Sequence, residues 1–155
     1  QLERIDELVQ MRQKCAEYFL DALSSCTWII PQKVGKDYEN SYYTFSARYL
    51  GEEVIGKKWK DFWRDFKNIG GDGFYGAVSV SYQEPMVKDE VYFKSGYLPS
   101  KKKCPYGSNY IYKDGMCPNA ELVQSQIMSF KTNYRNLEDA KNQANILGKL
   151  ISSFN

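Results

Sequence analysis

Apolar residues at three- and four-residue steps open the chain. In QLERIDELVQMRQKCAEYFLDALSS, Leu2, Ile5, Leu8, Val9, Cys15, Phe19, Leu20 and Leu23 share one helical face. No Ser, Thr, Asp or Asn stands ahead of this helix to serve its first amides, so Gln1 is expected inside or just before a longer element. TWIIP (27–31) predicts a short strand ended by Pro31. SYYTFSARYL (41–50), rich in aromatic and β-branched residues, predicts a second, and Gly51 and Gly56 bracket a turn. In KKWKDFWRDFKNIGG the period returns to that of a helix, with Trp59, Phe62, Trp63 and Phe66 on one face and Gly70 and Gly71 as its stop. FYGAVSVSY (74–82) predicts a third strand. Residues 86–117 are polar and turn-rich, a length that marks a functional or mobile segment. CPNAELVQSQIMSF predicts a helix with Pro118 in its first turn. A last helix is expected from Asn136, where NLED supplies the cap ahead of Ala140, Ala144, Leu147, Leu150 and Ile151. Strands and helices do not alternate regularly enough for a doubly wound parallel sheet. The pattern predicts one α+β domain over residues 1–155, with a small antiparallel or mixed sheet of about three or four strands covered by helices.

The aromatic face of the middle helix is expected to be buried. Its four rings would remove roughly 800 Å² from water, more than a soluble monomer leaves bare.

Composition narrows the chemistry. With 155 residues the chain is long enough for a core of its own. A net charge of +2 excludes a strongly basic nucleic-acid footprint, and no apolar run is long enough to span a membrane. The absence of histidine removes most acid–base and triad mechanisms and leaves no Cys/His metal set. Four cysteines, Cys15, Cys26, Cys104 and Cys117, read as reduced thiols of a cytoplasmic protein, with a Cys104–Cys117 bridge as the alternative.

GGDGFYGAVSVSYQEP (70–85) is the stretch most suggestive of a site. A phosphate loop needs strand, glycines, then helix. Here helix, glycines and strand come in the reverse order, which argues against it. A helix stop and a tight strand entrance account for Gly70 and Gly71 but not for Asp72, Gly73 or the polar SYQEP. Asp72 and Glu84 could form a carboxylate pair, and SKKK (100–103) is either a solvated loop or a contact to an anionic substrate.

Four stretches in the same order, QLERIDELVQMRQKCAEYFLDAL, NSYYTFSARY, WKDFWRDFKNIGGDGFYGAVSVSYQEP and CPNAELVQSQIMSFKTNYRNLEDAKNQANILGKLI, resemble the C-terminal small domain of the DegT/DnrJ/StrS sugar aminotransferases. These are pyridoxal-phosphate (PLP) enzymes of aspartate-aminotransferase fold. The resemblance implies amino transfer from an amino-acid donor to a nucleotide-linked keto-sugar, in a homodimer. It also implies that the Schiff-base lysine and the acid facing the pyridine nitrogen belong to a large PLP-binding domain, expected upstream of Gln1. No stretch here matches either motif, so no catalytic residue and no covalent cofactor is expected in this chain. Mapped by motif, the substrate cleft would be lined by Tyr42, Tyr43, Asp72, Phe74, Tyr75, Tyr82, Glu84 and Tyr134. Many relatives carry a histidine in the segment matching VSVSYQEP; its work would fall here to Ser79, Ser81, Tyr82 or Gln83.

Two other readings stay open: a stand-alone binding or regulatory domain of the same fold, and a piece of a PLP-dependent sugar dehydratase. If a large domain belongs beside this one, the first helix or the sheet should expose an apolar patch.

Overall fold

The computed structural model describes residues 2–77, 79–88, 91 and 112–154. It divides into two compact units, Gln1–Gly76 with Gln126–Asn155, and Ala77–Ser125.

The first unit is α+β. A single 3-10 turn, Leu2–Arg4, leads into α1 (Ile5–Leu23), followed by β1 (Ile29–Pro31) and β2 (Phe45–Tyr49). Two helices come next, α2 (Gly51–Ile55) and α3 (Trp59–Asn68). The three-stranded antiparallel sheet has the order β1-β2-β3, with β3 at Ile127–Phe130. Ile29 faces Tyr49 across the first pair, and Phe45 faces Phe130 across the second. Residues two apart on a strand share a face, so Phe45, Ala47 and Tyr49 turn inward with Met128 and Phe130. They meet Phe19 of α1, Phe62 and Phe66 of α3, Phe74 and Trp28 in one core of stacked, tilted and edge-on rings.

The last helix, α6 (Leu137–Ser152), closes this unit. Its cap is the one expected: the Asn136 side chain accepts a hydrogen bond of 2.8 Å from the Asp139 amide. It packs along α1 through small residues, the Gly148 Cβ position lying 3.7 Å from Ala22 Cβ. The stop of α3 also follows expectation, with Gly70 at φ +95°, a left-handed geometry that costs other residues strain.

Four expectations need correction. The turn bracketed by Gly51 and Gly56 is the short helix α2. The helix expected across 117–130 ends at Gln124, and Ile127–Phe130 is a strand, because Met128 and Phe130 alternate into the core opposite β2. Over 74–82, where a strand is expected, the described residues form a single bridge: Tyr75 and Ser129 exchange both backbone hydrogen bonds, at 2.8 and 2.7 Å. Beyond Gly76 the chain enters the second unit, where Ser81–Gln83 form a 3-10 turn and the Ser79 hydroxyl bonds the Glu84 carboxylate. Such local bonds compete with sheet pairing. Finally, the aromatic face of α3 is not uniformly buried. Phe62 and Phe66 are sealed, whereas Trp59 and Trp63 are only half-buried.

The second unit carries α4 (Pro85–Lys88) and α5 (Pro118–Gln124), the latter with proline in its first turn. The SKKK run and Cys104 lie outside the described residues, while Cys15, Cys26 and Cys117 carry free thiols. Among the described residues no helix is long and apolar enough to cross a membrane. Only the second half of α1 is covered: Cys15, Ala16, Phe19 and Leu23 are buried, but Leu2 is 83% exposed and Ile5 50%. Ile30 is likewise exposed on the outer face of the sheet.

Candidate functional site

The register of β2 with β3 decides which polar groups meet. Because Phe45 pairs with Phe130, the residues just before β2 and just after β3 come to the same end of the sheet. There Thr132, fully buried, sends its hydroxyl toward the carbonyls of Tyr42 (2.7 Å) and Tyr43 (3.1 Å). Arg12 of α1 reaches in from the side, donating from Nη1 to Tyr43 O at 2.6 Å and to Thr132 Oγ1 at 3.1 Å. Its guanidinium also lies 5.1 Å from the centre of the exposed Tyr43 ring. Tyr42 is held at φ +47°, its amide tied to Asn40 Oδ1 at 2.8 Å and its ring stacked on Phe45. A non-glycine residue in that region is strained, and the surrounding bonds maintain it.

Next to Thr132, Lys131 forms an ion pair with Asp72 and lies 4.5 Å from the centre of the Tyr134 ring. Burial pushes the Tyr134 hydroxyl well above the usual phenol range, and the neighbouring Asp72 carboxylate adds to the shift. The backbone of Asp72 is clamped from α6: Gln143 accepts from the Asp72 amide at 2.7 Å and donates to Gly70 O at 3.3 Å. The thiol of buried Cys15 is raised by burial, partly opposed by the Tyr134 backbone and Arg12.

Of the residues mapped from the sequence, Tyr42 and Tyr43 therefore join a hydrogen-bonded group on Thr132 and Arg12, and Asp72 and Tyr134 a second group on Lys131; the two adjoin along the chain at Lys131–Thr132 as one polar belt. Phe74 is a core ring, 3% exposed and set edge-on to Trp59. Tyr75 is exposed beside the bridge to Ser129. Tyr82 and Glu84 belong to the second unit. The Tyr82 hydroxyl bonds Glu121, which also accepts from the Gly115 amide at 2.6 Å, and its ring stacks on Tyr112. Partial burial and Glu121 raise the Tyr82 hydroxyl in turn. The Glu84 carbonyl accepts from the Val87 and Lys88 amides, both at 2.8 Å, so this residue starts α4.

Sequence reasoning did not single out Arg12, Lys131, Thr132 or Gln143. Gln143 alone left a trace, as a polar residue among the apolar positions Ala140, Ala144 and Leu147 of one helical face. Chemically the belt offers donors and acceptors rather than a nucleophile. Tyr134 stays a neutral phenol, and Lys131 is engaged by Asp72 and the Tyr134 ring. The belt does not fit PLP as a covalent host, since a Schiff base needs a lysine amine without such partners. No group of acids and thiols that could hold a metal occurs among the described residues.

No protein-family model matches the chain, and a search of curated proteins returns no match.

Proposed function

We propose that the chain is the small domain of a PLP-dependent aminotransferase acting on a nucleotide-linked keto-sugar, and that it lines the substrate cleft without supplying the Schiff-base lysine. One observation carries this reading. Tyr42, Tyr43, Asp72 and Tyr134, mapped from the resemblance alone, meet at one end of the sheet around Lys131 and Thr132. The phenols, the ammonium and the carboxylate there suit the hydroxyls of a sugar, which are bound by paired donors and acceptors. The cofactor, with its lysine, is assigned to a neighbouring large domain, and the amino donor is an amino acid. The uncovered Leu2 and Ile5 at the start of the first helical segment, and separately Ile30 on the outer face of the sheet, are apolar positions such a neighbour would cover. The parent enzyme is read as a cytoplasmic homodimer.

Borohydride trapping tests the assignment. The 155-residue chain mixed with PLP should give no stoichiometric phosphopyridoxyl-lysine, while the protein extended upstream through the natural reading frame should give one per chain. It should then transfer an amino group from glutamate to a nucleotide-linked 4-keto-sugar. A single modified lysine in the short chain, or an extended protein that does not bind PLP, would overturn the reading.

A further inference from the structure

Trp59 and Trp63 stand one turn apart on α3 and wall a groove of about 530 Å³ together with Lys58, Lys60 and Arg64. Neither indole is a loose surface ring. Trp59 donates from Nε1 to Ile127 O at 3.1 Å, and its ring sits edge-on to Phe74 at 4.8 Å. Trp63 donates from Nε1 to Phe74 O at 3.0 Å. The backbone passes close beneath: Gly73, at φ +90°, has its Cβ position 3.1 Å from Trp63 Nε1, so a side chain there would be both strained and crowded. With both N–H groups satisfied inside the protein, what the indoles present to the groove is ring carbon. The polar rim carries three basic residues, Lys58, Lys60 and Arg64, against two acidic ones, Glu52 and Asp61. Arg64 is paired with Asp61, but Lys58 and Lys60 are exposed and make no ion pair among the described residues.

A rigid stacking wall beside unpaired cations selects a ligand that is flat at one end and anionic at the other. The groove has the volume of a small-molecule pocket, which falls at roughly 300–1,000 Å³. We propose that the α3 groove is a nucleoside-phosphate site, in which the base stacks on the indoles of Trp59 and Trp63 and the phosphates lie between Lys58 and Lys60. The site is formed by residues other than those of the Asp72–Tyr134 belt and does not depend on the aminotransferase reading.

Calorimetric titration of the 155-residue chain with adenosine diphosphate tests it, with adenosine and inorganic pyrophosphate as the separate halves. Tryptophan emission followed in parallel localises binding, because Trp28 is only 2% exposed and the other two indoles line the groove. Adenosine diphosphate should bind saturably and quench the emission, with each half at least about tenfold weaker. The Lys58→Gln/Lys60→Gln double variant should lose about tenfold in affinity for the diphosphate and most of its salt dependence, and keep the same thermal unfolding. Absence of saturable binding, equal affinity in the double variant, or pyrophosphate binding as tightly as the nucleotide would each refute the site. Borohydride trapping reads PLP chemistry and not this groove, so the two proposals can fail separately.

Discussion

Replacing Thr132 by valine keeps the shape of the side chain and deletes the hydroxyl on which the belt turns. Thr132 is 1% exposed, and its single proton goes to the nearer carbonyl, that of Tyr42 at 2.7 Å rather than Tyr43 at 3.1 Å. Valine leaves the Tyr42 carbonyl without that donor, whereas Tyr43 keeps its 2.6 Å bond from Arg12. A buried acceptor left unpaired costs about 1–3 kcal/mol. The half-buried Tyr42 loop can relax from φ +47° and recover part of that, so the expected loss is about 2 kcal/mol. In a protein of this length that lowers Tm by about 4–8 °C. Urea unfolding followed by tryptophan emission is the appropriate assay, because Trp28, Trp59 and Trp63 all lie in the unit that contains Thr132. Thr132→Ser, which keeps the hydroxyl and sheds one methyl group, should stay within about 1 kcal/mol of the parent. If Thr132→Val lies within about 0.5 kcal/mol of the parent, or Thr132→Ser is destabilised as much, the hydroxyl does not hold the loop.

Gln143→Leu should cost about 1–2 kcal/mol by releasing the Asp72 amide and the Gly70 carbonyl; hydrogen exchange at Asp72 should accelerate relative to the amides of α6, and unchanged exchange would contradict the clamp. Two glycines should respond oppositely to alanine. At Gly51 a Cβ would fall 2.3 Å from the buried Tyr49 ring, so Gly51→Ala should cost about 1–3 kcal/mol or more, whereas Gly148→Ala, inside α6 and 3.7 Å from Ala22, should gain about 0.5–1 kcal/mol in chemical unfolding. Stability should also fall at high pH. Burial raises Tyr49, with nearby carboxylates such as Glu52 adding to it, and burial and then Asp72 raise Tyr134, both from 10.0. The folded state therefore keeps these protons longer than the unfolded chain. Their stabilisation is complete below pH 10.0 and is lost as the pH climbs above it, by at most about 1.4 kcal/mol per pH unit for each group and less for the more exposed Tyr134. Urea midpoints at about pH 9 and about pH 11 should differ less in Tyr49→Phe than in the parent; equal slopes would refute the assignment.

The helices were legible because their signals are local. The stripe on α1, the face of α3 and the Asn136 cap of α6 each lie within a few turns of the residues they organise, so a reader of one short window finds them. The α+β class came from the same kind of information, whereas the tyrosines near β2 were mapped only from the resemblance. Sheet pairing is different. Val78 and Val80 alternate with serines and mimic a strand, yet among the described residues of that segment pairing is confined to Tyr75. Ile127–Phe130 reads as the tail of a helix until Phe45, far away in the chain, supplies its partner. The belt depends on that register, which brings Thr132 to Tyr42 and Lys131 to the Asp72 that Gln143 holds. Periodicity and capping are properties of neighbours along the chain, so the sequence alone determined where the helices run and which of their faces are apolar. Which groups touch across the fold depends on long-range pairing. Tertiary structure alone therefore decided that Phe62 and Phe66 are sealed while Trp59 and Trp63 are only half-buried, and that Arg12, Lys131, Thr132 and Gln143 complete the polar belt.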